Sequence, residues 1–458
     1  MFHRILIALI RIIANTFFRR IDVVGIENVP ADGPVIFAGN HPNALMDGFL
    51  LIAKCGRWPL HFMVSAKLWE YRLLAPALNA TGAVPVYRRE DHDGEIDNQS
   101  AFEKLYEVIE SGKCMGIFPE GISHAESQLV KLKTGTARIA LSVTARGKAS
   151  VKIIPCGLNY INRHRFRSQV LIEFGAPIVI DDQWVQDYRQ DEQGTVRKLT
   201  EHLSEALSSV TLNAPDWRTL RFIQTGRRLY KPASADLSPG EYVELNRRFV
   251  DGYLRAIDDP EMQAFRDDVE NYQARLDMLG LKDYQLRKEV TLGWAFRKVF
   301  FRSLNMLALL PLAIPGALLH LPVGWIAATV GEKFSYEMDD IATLKVFSTI
   351  LLLPLLYLVI AIVVGINFGF WWAIVAVMAL LFSSIASVRL IEAEVGLLVS
   401  LLSVLRLTRL GSEIDDLRAT RAILVSKIRA LTDRLADPEL QRLFTDKDFS
   451  QPENEQSD

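Results

Sequence analysis

The sequence predicts an α/β domain with a largely buried sheet flanked by helices, followed by a helical insert and a C-terminal α-helical membrane region. Three observations carry this. Between residues 21 and 215 short apolar runs alternate with stretches of helical period, the pattern of a sheet covered on its faces. After Pro215 the strand-like runs stop and amphipathic helical spacing takes over. Between residues 303 and 390 lie apolar runs long enough to cross a bilayer, for which about 20 residues suffice. Composition agrees, because half of the 458 residues are apolar and the mean hydropathy is +0.14 although 23% of residues are charged. A net charge of −2 supplies no global field for nucleic acid. Cys55, Cys114 and Cys156 stand far apart beside apolar residues. They read as reduced core thiols of a cytosolic domain, and nothing has metal-ligand spacing, so no metal site is expected.

Residues 1–20 place Ile5, Leu9, Ile12 and Ile13 among Arg4, Arg11, Arg19 and Arg20, without a small-residue cleavage site. This is expected to be an amphipathic membrane-interface helix. Within 21–215, strands are expected at 21–26, 34–38, 60–64, 83–87, 114–118, 151–158 and 169–174, and helices at 46–55, 66–78, 95–111, 135–146 and 195–209. Region 216–302 is read as a helical hairpin, with Tyr242, Leu245, Phe249 and Tyr253 on one helical face and Met262, Phe265, Val269, Tyr272 and Leu276 on the next.

In the membrane region, 303–390, the run 304–330 is broken by Pro311, Pro315, Gly316, Pro322 and Gly324, whereas 346–366 and 368–388 are clean spans. Arg297, Lys298 and Arg302 precede the region and Arg389, Arg406 and Arg409 follow it, so both flanks read as cytoplasmic. An even number of crossings satisfies this, and the broken run is accordingly expected to be re-entrant. Residues 391–440 are expected to form C-terminal cytoplasmic helices, and 441–458 a polar tail without fixed structure.

Chemistry is expected at Asn40-His41-Pro42-Asn43-Ala44-Leu45-Met46-Asp47-Gly48, a strand-to-helix junction where the loop exposes the imidazole and a carboxylate can fix its tautomer. Three further stretches bear on it. The strand before Arg88 and Arg89 ends in paired guanidinium groups suited to bidentate phosphate recognition. Phe118-Pro119-Glu120-Gly121 sets a carboxylate on a turn, and Lys131, Lys133 and Gly135 open a helix whose amides favour an anion. Ile154-Pro155-Cys156-Gly157-Leu158 is an apolar strand and turn able to wall an acyl channel. Arg163, Arg165 and Arg167 form a second basic cluster, read either as a contact for the donor or a lipid headgroup or as a solvated loop.

In this order and spacing the blocks resemble the glycerolipid acyltransferase superfamily, in which a His-Asp block precedes a Gly-to-Arg block, a Phe-Pro-Glu-Gly block and a Pro-containing apolar block. Gly121-Ile122-Ser123-His124, Leu158-Asn159-Tyr160, Arg227-Arg228-Leu229-Tyr230-Lys231-Pro232 and Asp340-Ile341-Ala342-Thr343-Leu344-Lys345 are similar, more narrowly, to the fungal-type glycerol-3-phosphate/dihydroxyacetone-phosphate acyltransferases. The resemblance implies an acyltransferase domain with His41 as general base and Asp47 as its orienter. It implies Arg88 and Lys133 on the acceptor phosphate, and Glu120 with Gly121 meeting a glycerol hydroxyl or bracing Arg88. It further implies phospholipid synthesis at a membrane, the catalytic domain on the cytoplasmic face, and no cofactor beyond acyl-CoA or acyl carrier protein as donor. Glycerol-3-phosphate is the acceptor it favours, with 1-acylglycerol-3-phosphate and dihydroxyacetone phosphate as alternatives.

One departure constrains the geometry. The wider superfamily separates the two residues by four, whereas residues 42–46 lie between His41 and Asp47 here. Residues six apart on a straight helix point about 240° apart. His41 is therefore expected in the preceding loop, with Pro42-Asn43 curling back so that imidazole and carboxylate meet. Two rivals are a lipid serine hydrolase using Ser123, whose surroundings nearly match a nucleophile elbow, and an inactive membrane scaffold.

Overall fold

The computed structural model describes residues 2–435 and 444, apart from 71–74, 87–98, 125, 148, 233, 234, 236, 238, 280, 288–291, 336, 337 and 410. Two compact units emerge. The first comprises 1–217 and 331–346, the second 218–330 and 347–458.

In the first unit the chain runs α1 (Phe2–Phe17), β1 (Phe18–Val24), β2 (Val35–Gly39), α2 (Ala44–Lys54), β3 (Leu60–Ser65), α3 (Ala75–Thr81), β4 (Val84–Val86), α4 (Gln99–Glu110), β5 (Cys114–Ile117), α5 (Gly135–Ala145), β6 (Lys152–Tyr160), β7 (Ser168–Phe174), β8 (Ile178–Val179), α6 (Asp182–Gln190) and α7 (Glu192–Val210). The strands form one sheet in the order β1-β7-β6-β2-β5-β3-β4, with β8 pairing on β6. All pairings along the path are parallel except β6 with β7.

Both faces are buried, which explains why β2 and β5 carry no polar side chain and β6 is apolar between its ends. On one face Val35, Phe37, Cys156 and Leu158 pack with Ile10, Ala14 and Phe17 of α1 and Met46, Leu50 and Leu51 of α2. On the other, Ile36, Ala38, Met115 and Ile153 pack with Leu105 and Ile109 of α4, Ile139 and Val143 of α5 and Leu199 and Leu203 of α7. Each expected strand exists within a few residues of its expected place. The short β8 and α6 were not foreseen, although Asp181 caps α6 by accepting from Gln183 and Trp184 N–H.

Helix α1 has apolar residues on both sides. Ile10, Ala14 and Phe17 are in the core, while Ile5 and Ile12 are 56% and 62% exposed. The three cysteines are buried and free; burial pushes the Cys55 thiol up to about 11.

The second unit contains α8 (Trp217–Tyr230), α9 (Pro239–Arg255), α10 (Pro260–Leu279), α11 (Asp283–Leu286), α12 (Leu292–Lys333), α13 (Ile341–Phe368), α14 (Phe370–Arg409) and α15 (Gly411–Leu435), the ends at 217 and 331–346 counting with the first unit. The expected hairpin is α9 and α10, and the apolar faces of α8, α10 and α15 enclose Phe222, Phe265, Tyr272, Leu276, Leu424 and Ile428. Asp283 is held by Tyr272 OH and Arg421 at 2.9 and 3.0 Å.

Three helical segments, Ser303–Lys333, Ile341–Phe368 and Phe370–Leu390, are long and apolar enough to cross a membrane. The expected re-entrant hairpin at 304–330 is instead part of one continuous helix, α12, despite Pro311, Pro315 and Pro322. The reason lies on α14. Ser383 Oγ accepts from Gly316 N–H at 2.7 Å and donates to Leu312 O, and Ser387 Oγ donates to Ala313 O at 2.8 Å. Ser383 Oγ thus bridges Gly316 N–H and Leu312 O, the donor and acceptor of one ladder position beside Pro315, and both hydroxyls satisfy backbone groups of the proline-rich stretch from a neighbouring helix. The close approach needs Gly316, whose Cβ would lie 2.5 Å from a Ser383 backbone carbon. Between the expected spans 346–366 and 368–388 the turn contracts to Gly369 alone. Most of 441–458, including the end of the polar tail, falls outside the described residues.

Candidate active site

Strands β6, β2 and β5 are adjacent and parallel, so their C-terminal ends deliver three segments to one place, where open α/β sheets hold their sites. His41 follows β2, Glu120 follows β5 and Tyr160 ends β6. Asn40 extends the ladder with its side chain, donating to Leu158 O at 3.2 Å and accepting from Leu158 N–H at 2.7 Å. His41 is thereby fixed just beyond the sheet edge.

The loop reverses as the spacing demands. Asn43 (φ −147°, ψ 43°) and Ala44 (φ +39°) turn the chain, and Asp47 sits in the first turn of α2. His41 Nδ1 lies 2.8 Å from Asp47 Oδ2, which also accepts from Asn43 N–H at 2.8 Å. Asp47 Oδ1 accepts from the Tyr160 hydroxyl. Burial pushes the Asp47 carboxyl above its ordinary value, opposed by the hydrogen bonds from His41, Tyr160 and Asn43. Because the carboxylate accepts at Nδ1–H, the lone pair of the neutral imidazole is on Nε2. The ring is held flat on Phe118, centroids 4.0 Å apart and planes within 4°.

Glu120 is buried, and both its oxygens are engaged inside the protein. Oε1 accepts from His41 N–H at 2.8 Å; Oε2 accepts from Val130 N–H at 3.2 Å and meets His124 Nε2. The hydrogen bond to Glu120 raises the His124 imidazole above its ordinary value against the opposing effect of burial. His124 N–H in turn donates to His41 O at 3.1 Å. The carboxylate thus ties the two loops together. Gly121 turns with φ +76°, and a Cβ there would lie 2.7 Å from Lys133 Nζ. Lys133 is anchored by its N–H on Pro119 O at 2.7 Å, immediately before α5. Its ammonium is exposed over Gly121 and has no carboxylate partner among the described residues.

Arg88 lies outside the described residues. The three arginines of the second cluster part company. Arg163 donates from Nη1 to Pro42 O and His124 O, both at 3.1 Å, with its guanidinium 5.4 Å from the Trp217 ring centroid. Arg167 caps α1, its N–H donating to Phe17 O at 2.7 Å and Nη1 to Asn15 O and Thr16 O. Arg165 is exposed. Among the described residues Ser123 makes no hydrogen bond to a histidine; His41 Nδ1 is held by Asp47 and His124 Nε2 by Glu120. Tyr160, His124 and Arg163 as parts of this network were not foreseen from the sequence; the stretches holding them were noticed, but nothing in their spacing shows that they converge on His41.

Residues 20–159 match the family described as "Acyltransferase", and residues 222–441 match "Glycerol-3-phosphate acyltransferase 2 C-terminal domain". Glycerol-3-phosphate O-acyltransferase 2 of Saccharomyces cerevisiae is 31% identical over 386 residues, 77% of this chain and 52% of that protein. The chain carries an acyltransferase domain. Glycerol-3-phosphate O-acyltransferase 1 of the same yeast is 34% identical over 308 residues, 63% of this chain and 40% of that protein. A 1-acyl-sn-glycerol-3-phosphate acyltransferase of Borreliella burgdorferi is 28% identical over 192 residues, 42% of this chain and 68% of that protein. The chain therefore spans about half the length, or less, of the yeast relatives it matches.

Proposed function

We propose that this chain transfers a fatty acyl group from acyl-CoA to a hydroxyl of glycerol-3-phosphate. The observation that carries the reading is the His41–Asp47 pair at the C-terminal ends of parallel strands, with Nδ1 held and Nε2 left to accept a proton. His41 Nε2 takes the acceptor hydroxyl proton as the oxygen attacks the thioester carbonyl carbon. The tetrahedral adduct collapses, the C–S bond breaks, and the imidazolium returns its proton to the departing thiolate. Asp47 stabilises the imidazolium between these steps. No protein nucleophile is required, because the thioester is already activated.

Lys133, whose ammonium is exposed, holds the acceptor phosphate together with Arg88. Glu120 acts by bracing the His41 backbone, since its side chain is fully buried and both oxygens already accept hydrogen bonds within the protein. The enzyme works at a membrane with its catalytic domain on the cytoplasmic side, and α1 lies in the lipid interface, its exposed Ile5, Leu9 and Ile12 among acyl chains and Arg4 and Arg11 on phosphates.

Membranes containing the full chain, supplied with glycerol-3-phosphate, dihydroxyacetone phosphate or 1-acylglycerol-3-phosphate and with acyl-CoA or acylated carrier protein, test the substrate assignment. Glycerol-3-phosphate with acyl-CoA is expected to give the fastest transfer. Acylation of 1-acylglycerol-3-phosphate alone would move the assignment to the second step of glycerolipid acylation.

A further inference from the structure

Asp47 is fully enclosed, so each oxygen of its carboxylate must find its donor within the protein. Oδ2 receives two donors, His41 Nδ1–H and Asn43 N–H. Oδ1 receives the Tyr160 hydroxyl, and among the described residues no other hydrogen bond reaches it. The phenol is placed by the sheet. Tyr160 is the last residue of β6, in register with Val170 of β7, and its ring lies 5.7 Å from that of Phe18. We infer that Tyr160 is a positioning residue of this site, its O–H fixing the Asp47 carboxylate as an anion with Oδ2 turned toward His41 Nδ1.

The chemistry is consistent on both sides of the bond. Burial first, and then the neighbouring Asp47 charge, push the phenol well above its ordinary range, so it remains a donor throughout the neutral pH range. Without the O–H, Oδ1 is a buried acceptor with no donor, and the carboxylate gains basicity. The His41–Asp47 pair then takes up a proton more readily, whichever of the two groups carries it. The other charged groups facing the pair are Arg163, which lies close enough to feel the charge on Asp47, and, through the His41 backbone, the Glu120–His124 pair. Tyr160→Phe leaves all of these unchanged and removes one oxygen.

The role rests on the reading of His41 as the base, and one of its two measurements does not need that reading. Diethyl pyrocarbonate modifies neutral imidazole, so the pH dependence of His41 labelling, followed by peptide mass spectrometry on the full chain in membranes, reports the protonation of the pair without any substrate. In Tyr160→Phe the labelling midpoint is expected to rise by about one pH unit, as loss of a hydrogen bond to a charged group implies. The acid limb of kcat/KM for acyl transfer is expected to move by the same amount while KM for glycerol-3-phosphate stays put. A labelling midpoint identical to wild type, with the thermal unfolding of the two proteins matched, would overturn the role. A midpoint that rises in a protein without His41-dependent acyl transfer would uphold the positioning role and remove the proposed reaction instead.

Discussion

His41→Ala is expected to lower kcat for acyl transfer by about 10²- to 10⁴-fold, the range that a positioned general base supplies, with little change in KM for either substrate. The site should otherwise survive the change. Glu120 accepts from the His41 backbone N–H, not from its ring, so alanine keeps that bond and the loop stays in place. Asp47 loses one donor but keeps Asn43 N–H and Tyr160 OH. A loss in kcat without a loss in KM identifies an interaction made in the transition state. Initial rates on membranes normalised for protein content measure this, and a variant within threefold of wild type would place the base elsewhere.

Glu120→Ala is expected to damage both stability and rate. It orphans three donors at once, His41 N–H, Val130 N–H and the His124 ring, and a buried donor left unpaired costs about 1–3 kcal/mol. The rate should fall roughly tenfold to a hundredfold, because small displacements of a reacting group are costly. Stability should depend on pH in a definite direction. Glu120 raises the His124 imidazole, so the pair contributes stability in full below the ordinary histidine value of about 6.5 and loses it as pH rises through the raised value. The deficit of Glu120→Ala relative to wild type, read as the difference in thermal midpoint in detergent, is therefore larger at pH 5.5 than at pH 9. A deficit independent of pH would mean that the His124 contact adds nothing.

The parts of this molecule that were legible in its sequence are those whose signal is local. The central strands announce themselves because Val35 to Ala38 and Cys114 to Ile117 are buried on both faces, and an uninterrupted apolar run bounded by turn residues has few other uses. The folded-back loop followed from spacing once the resemblance had set His41 against Asp47, since no regular helix brings residues six apart together. What escaped was non-local. Tyr160 is 113 residues from Asp47, and no periodicity marks an end-of-strand tyrosine as a partner for a distant carboxylate. Arg163 carried the chemistry of a headgroup contact but supports the backbone of the His41 and His124 loops. The proline-broken run misled for the same reason. The prolines were visible, but the hydroxyls of Ser383 and Ser387 that bond the backbone of this stretch come from some 70 residues further on.

Direct attack by an acceptor hydroxyl activated at His41 is tested best by initial rates of the full chain in membranes over a grid of glycerol-3-phosphate and palmitoyl-CoA concentrations, with the product identified by mass. The expected result is acylated glycerol-3-phosphate and intersecting double-reciprocal lines, both substrates being bound before the acyl group moves. Parallel lines, with the acyl group recovered on Ser123, would contradict it.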